Sequence, residues 1–181
     1  MTQEQLDLNT GRLLIREMSA ADAPRLAALG GVPEVARMML SLTAPWPVAA
    51  AQAWIEAAPY RQRPGFRAGI ALPGTGLIGA IGLYNETPPT LAYFIAPEWA
   101  GQGYASEAAR AVLAHGFTAL GVREVAADHF TDNPASGRIL RKLGFIETGE
   151  AMGESAARLE PARLTLYRLT RTDFEATTCN S

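Results

Sequence analysis

Cysteine is almost missing from this chain. Cys179, in the closing TTCNS, is the only one, which excludes an intrachain disulfide and a cluster of thiolate metal ligands. Lysine is as scarce: Lys142 stands alone among 16 basic residues, and arginine supplies the rest. The two histidines, His115 and His129, lack HxxxH spacing and cysteine support, so no metal is expected. Positive charge is not in excess either. A net charge of -2 over 181 residues argues against a broad cationic face, and no direct contact with nucleic acid is expected. Also lacking are a basic leader ahead of an apolar run and any apolar stretch of about 18 residues or more. The expectation is a cytoplasmic chain with no membrane partner.

What is present is patterned. Hydrophobic residues make up 48% and charged residues 19%, a ratio that supports a buried core rather than disorder. Length favours one domain, taken as 10–174, with flexible termini at 1–9 and 175–181. Residues 12–17 (RLLIRE) read as a first strand, and SAADA then starts a helix with Ser19 as N-cap and Asp22 three residues on. Gly30-Gly31 stops it. Pro33 opens a second helix containing Val35, Met38 and Met39, and 48–58 reads as a third. The period then changes to two: 66–72 and 77–84 alternate like paired strands around Pro73-Gly74-Thr75-Gly76, and 91–96 follows. A long helix over about 104–120 carries Ala108, Ala109, Val112, Leu113 and Phe117 on one stripe. A strand at 122–130, a short helix at 134–143 ended by Gly144, a strand from Ile146 and a last strand at 163–170 complete an α+β domain. The link from 96 to 122 favours a parallel crossover.

The stretch PEWAGQGYASEAAR, residues 97–110, raises a chemical question. Gly101 and Gly103 let the backbone turn tightly and leave N–H groups uncovered by a Cβ. Tyr104, Ala105 and Ser106 then enter a helix whose first N–H donors have no internal partner. A pyrophosphate would find several donors there, and the favourable end of the helix dipole. A plain tight turn would use the same residues. The loop is not GxxxxGK[ST], and Ser106 stands where GxGxxG needs its last glycine.

The run Pro97-Glu98-Trp99-Ala100-Gly101-Gln102-Gly103-Tyr104-Ala105-Ser106-Glu107-Ala108 resembles the acetyl-CoA motif of the GCN5-related N-acetyltransferases (GNAT), and more closely their ribosomal-protein-alanine N-acetyltransferase (RimJ/RimL-like) branch. A second block is similar to that branch: Asn133-Pro134-Ala135-Ser136-Gly137-Arg138-Ile139-Leu140-Arg141-Lys142-Leu143-Gly144-Phe145. The opening Gly11-Arg12-Leu13-Leu14-Ile15-Arg16, Asp22, and Pro45-Trp46-Pro47 ahead of Ala53-Trp54-Ile55 also resemble it. The likeness runs from about residue 10 to 173. This chain departs at Ala100, where the family usually has Arg or Gln, and at Ala92, where Gly is common.

The resemblance implies an α/β/α layered domain with a mixed, mostly antiparallel sheet splayed at the cofactor-binding strands. It implies acetyl-CoA as co-substrate and a primary amine as acceptor, either a peptide N-terminus or a small molecule, attacking directly in a ternary complex. The backbone of Phe94, Ile95 and Ala96 would hold the pantetheine arm, and Gly101, Gln102, Gly103, Tyr104, Ala105 and Ser106 the pyrophosphate. Asn133 would touch the arm or cap its helix, and Ser136 would serve the leaving thiolate. An N–H near Ile95 would receive the oxyanion. Glu86, in the turn ahead of 91–96, is the chosen base, with a solvent-exposed turn residue as the other reading. The assembly is a monomer or homodimer. A non-catalytic acyl-CoA-binding regulatory module is the alternative function.

Overall fold

Alternation sets the strands. In the computed structural model, which describes residues 5–178, β3 (Phe66–Leu72) and β4 (Gly76–Tyr84) pair antiparallel around the expected turn. On β3, Phe66, Ala68 and Ile70 point into one core cluster, as a period of two requires. β5 (Thr90–Ile95) extends the meander from β4, while β2 (Leu14–Arg16) and β1 (Asp7–Asn9) line the other side of β3. The second half of the sheet is β6 (Glu124–Phe130), β7 (Ile146–Gly153) and β8 (Ala162–Thr170). The order is β1-β2-β3-β4-β5-β6-β8-β7, and every neighbouring pair is antiparallel except β5 with β6.

Helices cover both faces. On one face lie α1 (Ala23–Gly30), α2 (Pro33–Ala36) and α3 (Val48–Glu56), which bury Leu26, Leu29, Val35 and Ile55 against Ala80 and Phe94. On the other lie α4 (Tyr104–Thr118), α5 (Pro134–Lys142) and α6 (Arg171–Thr178). The α4 stripe does what its spacing predicts: Ala108, Ala109, Val112, Leu113 and Phe117 are all buried. Each of its larger side chains contributes about 1.5–3 kcal/mol by leaving water. The result is the layered α/β/α arrangement with a mixed, mostly antiparallel sheet.

The ends and the early helices differ from expectation. Asp7–Asn9 is a paired strand with Leu6 buried beside it, and α6 runs through 175–178, packing Phe174 5.3 Å from Phe117. The remainder of the two expected tails, 1–4 and 179–181 with Cys179, lies outside the described residues. The first predicted helix divides into a 3-10 turn, Ala20–Asp22, and α1. The second stops after one turn, before Met38 and Met39. Beyond it the backbone tightens into i→i+3 turns, Met38 N–H donating to Val35 O at 2.9 Å and Met39 N–H to Ala36 O at 3.1 Å, and Ser155, in the β7–β8 connection, donates its hydroxyl to Met39 O at 2.7 Å.

Candidate active site

The parallel ladder between β5 and β6 is short. It holds Thr90 opposite Ala126 and Leu91 opposite Ala127, with Ala126 N–H donating to Pro89 O at 2.8 Å. Beyond that the strands part. Each is held from its far side, β5 by β4 as far as the Gly79–Ile95 pair and β6 by β8 as far as Phe130–Leu164. A gap opens between two otherwise rigid strands.

Backbone direction alternates along β5, and one hydrogen bond gives the phase. Ala96 N–H donates to Ile78 O at 2.9 Å, and Ala96 O accepts from Trp99 at 2.9 Å. Phe94 shares that phase, facing β4, and its side chain packs beneath the early helices. The groups turned towards the gap belong to Ile95 and Tyr93. The resemblance assigned Phe94, Ile95 and Ala96 together; alternation separates them, leaves Ile95 in place and adds Tyr93.

The loop after β5 begins with a 3-10 turn, Pro97–Trp99, and then uses its glycines as expected. Gly101 has φ +76° and Gly103 φ +83°, a region that costs other residues roughly 1–2 kcal/mol. Gly103 precedes α4, whose Glu107 N–H donates to Gly103 O at 3.0 Å. The N–H groups of Tyr104, Ala105 and Ser106 lie ahead of that bond, at the positive end of a 15-residue helix. Gly101 and Gln102 complete the bend. The β1–β2 turn clasps this loop: Arg12 donates to Gln102 O at 3.2 Å and to Glu107 Oε2 at 2.7 Å, and sits 4.8 Å from the Tyr104 ring centre. Thr10 donates to Glu107 Oε1 at 2.6 Å. Partial burial works to raise the Glu107 pKa, but the Thr10 and Arg12 hydrogen bonds outweigh it and leave it lowered. Glu107 is therefore an ionised brace for the loop. Nothing in the local pattern pointed to the Arg12 contact, because its partners lie about ninety residues away.

On the α4–α5 side of the gap, Asn133 caps α5, its side-chain oxygen accepting Ser136 N–H at 3.3 Å. Of the two readings of Asn133, capping is the one visible here. Ser136 Oγ lies 3.0 Å from Tyr93 Oη. Burial pushes the Tyr93 pKa up to about 12, the Ser136 bond opposing it, so the phenol stays protonated near neutral pH. His129 reaches the same side, its Nε2 3.2 Å from Tyr167 Oη and its ring stacked on that tyrosine.

On the opposite side, Glu86 occupies the β4–β5 turn and accepts a 2.5 Å hydrogen bond from Thr90 Oγ1. Next to it stands Asp128, a residue the motif reading passed over because one acid in a strand carries no local signature. Burial raises its pKa, the Glu86 carboxylate raises it further, and His129 opposes both. The Asp128 side chain keeps contact with solvent, so screening limits the size of this shift. Further along that side, Arg67 packs 4.3 Å from Trp54 and donates to Tyr84 Oη at 3.3 Å. A separate cleft of about 300 Å³, edged by Glu17, Ile55, Glu56, Tyr60 and Arg67, contains none of the expected site residues. Among the described residues no group of three or more His, Cys, Asp or Glu could hold a metal, and no helix is long and apolar enough to cross a membrane.

This geometry agrees with comparison to known proteins. The acetyltransferase (GNAT) domain family matches residues 12–146. The chain belongs to the GNAT acetyltransferase family. Among its relatives is the uncharacterized N-acetyltransferase YoaA of Bacillus subtilis, 36% identical over 149 residues that span 78% of this chain and 84% of YoaA. Similar solved structures include a GCN5-related N-acetyltransferase from Brucella melitensis, with TM-score 0.78 and 16% identity over 97% of this chain and 83% of that one. Another is Mycobacterium smegmatis RimJ in complex with CoA-disulfide, with TM-score 0.75 and 19% identity over 94% of this chain and 87% of that one. These structures share its fold.

GNAT membership brings acetyl-CoA as acyl donor and an amine as acceptor. The residues suit that donor. Unpaired strand groups at Tyr93 and Ile95 match an amide-bearing arm, and the bare start of α4 matches a diphosphate.

Proposed function

We propose that this GNAT chain moves the acetyl group of acetyl-CoA to a primary amine by direct attack in a ternary complex, as in the RimJ/RimL-like branch it resembles. The acceptor is a protein N-terminal α-amine or a small-molecule amine. The observation that carries the reading is the early end of the β5–β6 ladder directly ahead of the Gly101–Gly103 bend. In this reading Ile95 and Tyr93 bind the pantetheine amides, and residues 101–106 bind the pyrophosphate. Asn133 holds Ser136 in place at the start of α5.

The chain's own residues have modest chemistry to perform. Holding donor and acceptor together removes the entropy of a bimolecular encounter. The Ile95 N–H, aimed into the gap, stabilises the oxyanion, a contribution of roughly 3 kcal/mol in comparable sites. Ser136 hands a proton to the departing thiolate and is held towards it by Tyr93. Glu86 lies at the acceptor side of the opening. An α-amine with a pKa of about 8 is partly neutral at physiological pH, so the demand on any base is small.

The test is an amine panel, with peptides of varied first residue beside small amines, read by CoA release and paired with thermal unfolding in acetyl-CoA. Binding to the folded state at 100 times Kd adds about 2.7 kcal/mol of apparent stability. Release of CoA with at least one amine, together with that stabilisation, is expected. Stabilisation with no release from any amine would indicate a regulatory acyl-CoA-binding module, and neither effect would exclude the cofactor site.

A further inference from the structure

Among the described residues no carboxylate pairs with Arg67, a half-buried cation on β3. Phe66, Ala68 and Ile70 point towards α4, so alternation turns Arg67 to the face of the early helices. There its guanidinium carbon lies 4.3 Å from the Trp54 ring centre and 5.2 Å from that of Tyr84. Two hydrogen bonds fix it between the rings. Nη1 donates to Trp54 O at 2.5 Å, a carbonyl in the last turn of α3, and Nε donates to Tyr84 Oη at 3.3 Å. Both acceptors are neutral. Two of the five guanidinium N–H groups are thus used, which leaves three without an acceptor among the described residues. Glu17 and Glu56 edge the same cleft, but Glu17 accepts Leu6 N–H at 3.2 Å and Glu56 accepts from Gln52 at 2.8 Å. Arg12, Arg16 and Arg37, by contrast, each grip a carboxylate. A second donor in the cluster is unanswered too: Trp54 Nε1 is buried with no partner among the described residues.

The sheet register connects this cation to the opening. Arg67 pairs with Gly82 on β4, and Gly82 pairs with Ala92 on β5, the first residue past the last rung at Leu91. Gly82 has no side chain and Ala92 only a methyl, so the row itself puts nothing bulky between the guanidinium and the gap. Tyr84, which Arg67 bonds, stands opposite Thr90 at the first rung. α4 packs on the other face, so the sheet separates Arg67 from the helix that suits the diphosphate.

We propose that Arg67 selects the acceptor, its unused N–H groups taking a carboxylate carried by the amine. This rests on the acetyltransferase reading above and narrows its acceptor to an amino acid or a short peptide with a free C-terminus. A carboxylate meets the planar guanidinium in two parallel bonds. Trp54 and Tyr84 already hold that plane, so little side-chain freedom is lost on binding. Two neutral acceptors and two rings only partly offset the cost of drawing this cation out of water, and the carboxylate supplies the missing counter-charge. Glu17 and Glu56 along the cleft make a doubly charged phosphate the less suitable anion.

The test sets each acid beside its carboxamide: alanine, 4-aminobutyrate and alanylalanine, read by CoA release and compared at equal concentrations of neutral amine. The amide keeps the size and the amine while losing the charge. In the wild-type chain at least one acid should exceed its amide in kcat/KM about 10- to 100-fold, chiefly through KM. Arg67→Gln should bring that ratio near one, and Arg67→Lys, which keeps the charge but not the fork, should recover part of it. Arg67 also holds the end of α3, so its loss can slow every acceptor; a role confined to that hold leaves the ratio unchanged. A wild-type ratio near one for all three pairs, or a ratio that survives in Arg67→Gln, overturns the proposal. If the wild type releases CoA with no amine at all, the acetyltransferase reading fails, and calorimetry without acetyl-CoA judges Arg67 separately. Tighter binding of an acid than of its amide, lost in Arg67→Gln, then upholds the site, while equal or absent binding overturns it.

Discussion

The hydroxyls of Tyr93 and Ser136 meet at 3.0 Å, tying β5 to the first turn of α5 across the opening in the sheet. Because burial holds the Tyr93 pKa near 12, the phenol can donate to Ser136 and keep the serine oriented. Ser136→Ala should lower turnover about 100-fold with acetyl-CoA affinity within a few-fold of wild type. Steady-state kinetics beside calorimetry checks this.

The same pair sets an alkaline signature. A phenol ionises near pH 10 in the unfolded chain and near 12 in the folded one, so the folded state keeps its proton longer. Its stabilising contribution is complete below about pH 10 and is lost as pH rises towards 12. Denaturant unfolding of Tyr93→Phe should show less loss of stability than wild type between those values. Equal losses would mean the hydroxyl is not shielded.

Gly103 is held at φ +83° directly before α4. Gly103→Ala is expected to cost about 1–2 kcal/mol of stability from backbone strain. It should also weaken acetyl-CoA binding, since residues 101–106 can no longer bend as they do. Thermal unfolding with and without the ligand separates the two effects.

Arg16 grips Asp22 with two hydrogen bonds, Nη2 to Oδ1 at 2.7 Å and Nη1 to Oδ2 at 3.0 Å, joining β2 to the turn before α1. The Arg16 hydrogen bond is the main reason the Asp22 pKa is lowered, with burial opposing it. A lowered carboxylate stabilises the fold above its unfolded pKa of about 4, and that contribution fades as pH falls through the folded value. Asp22→Asn should therefore be about 1–3 kcal/mol less stable near pH 7. The gap should close in acid, which unfolding curves at several pH values would reveal.

Arg158 straps the β7–β8 connection to the end of α2, donating to Asp132 Oδ1 at 2.8 Å and to Arg37 O at 2.8 Å. Its side chain is only 13% exposed, though Asp132 is 43% exposed and partly screened. Arg158→Ala should cost about 1–2 kcal/mol and raise KM for the acceptor, because the strap borders that side. Acetyl-CoA affinity should not move. A matching fall in acetyl-CoA affinity would place the strap on the wrong side of the sheet.

Much of this was legible in the sequence because it is local. The turn at 73–76, the stripe on α4 and the Gly101–Gly103 bend each follow from a few neighbouring residues. Asn133 followed by proline announced a cap, and the structure has one. The helix expected through Met38 and Met39 gives way to i→i+3 turns, and a residue more than a hundred positions away, Ser155, donates to the Met39 carbonyl there. The ordered strand at Asp7–Asn9 was missed for a similar one: three residues have no period of their own, and β2 supplies the partner.

The site divides along the same line. Alternation, glycine conformation and helix capping act within one to four residues, so the sequence by itself determined the longer strands, the Gly101–Gly103 bend and the start of α5. Where the β5–β6 ladder ends, and that Tyr93 meets Ser136 across 43 positions of chain, only the tertiary structure decided. These depend on how packed elements bring distant residues together, and nothing in a local stretch carries that free energy.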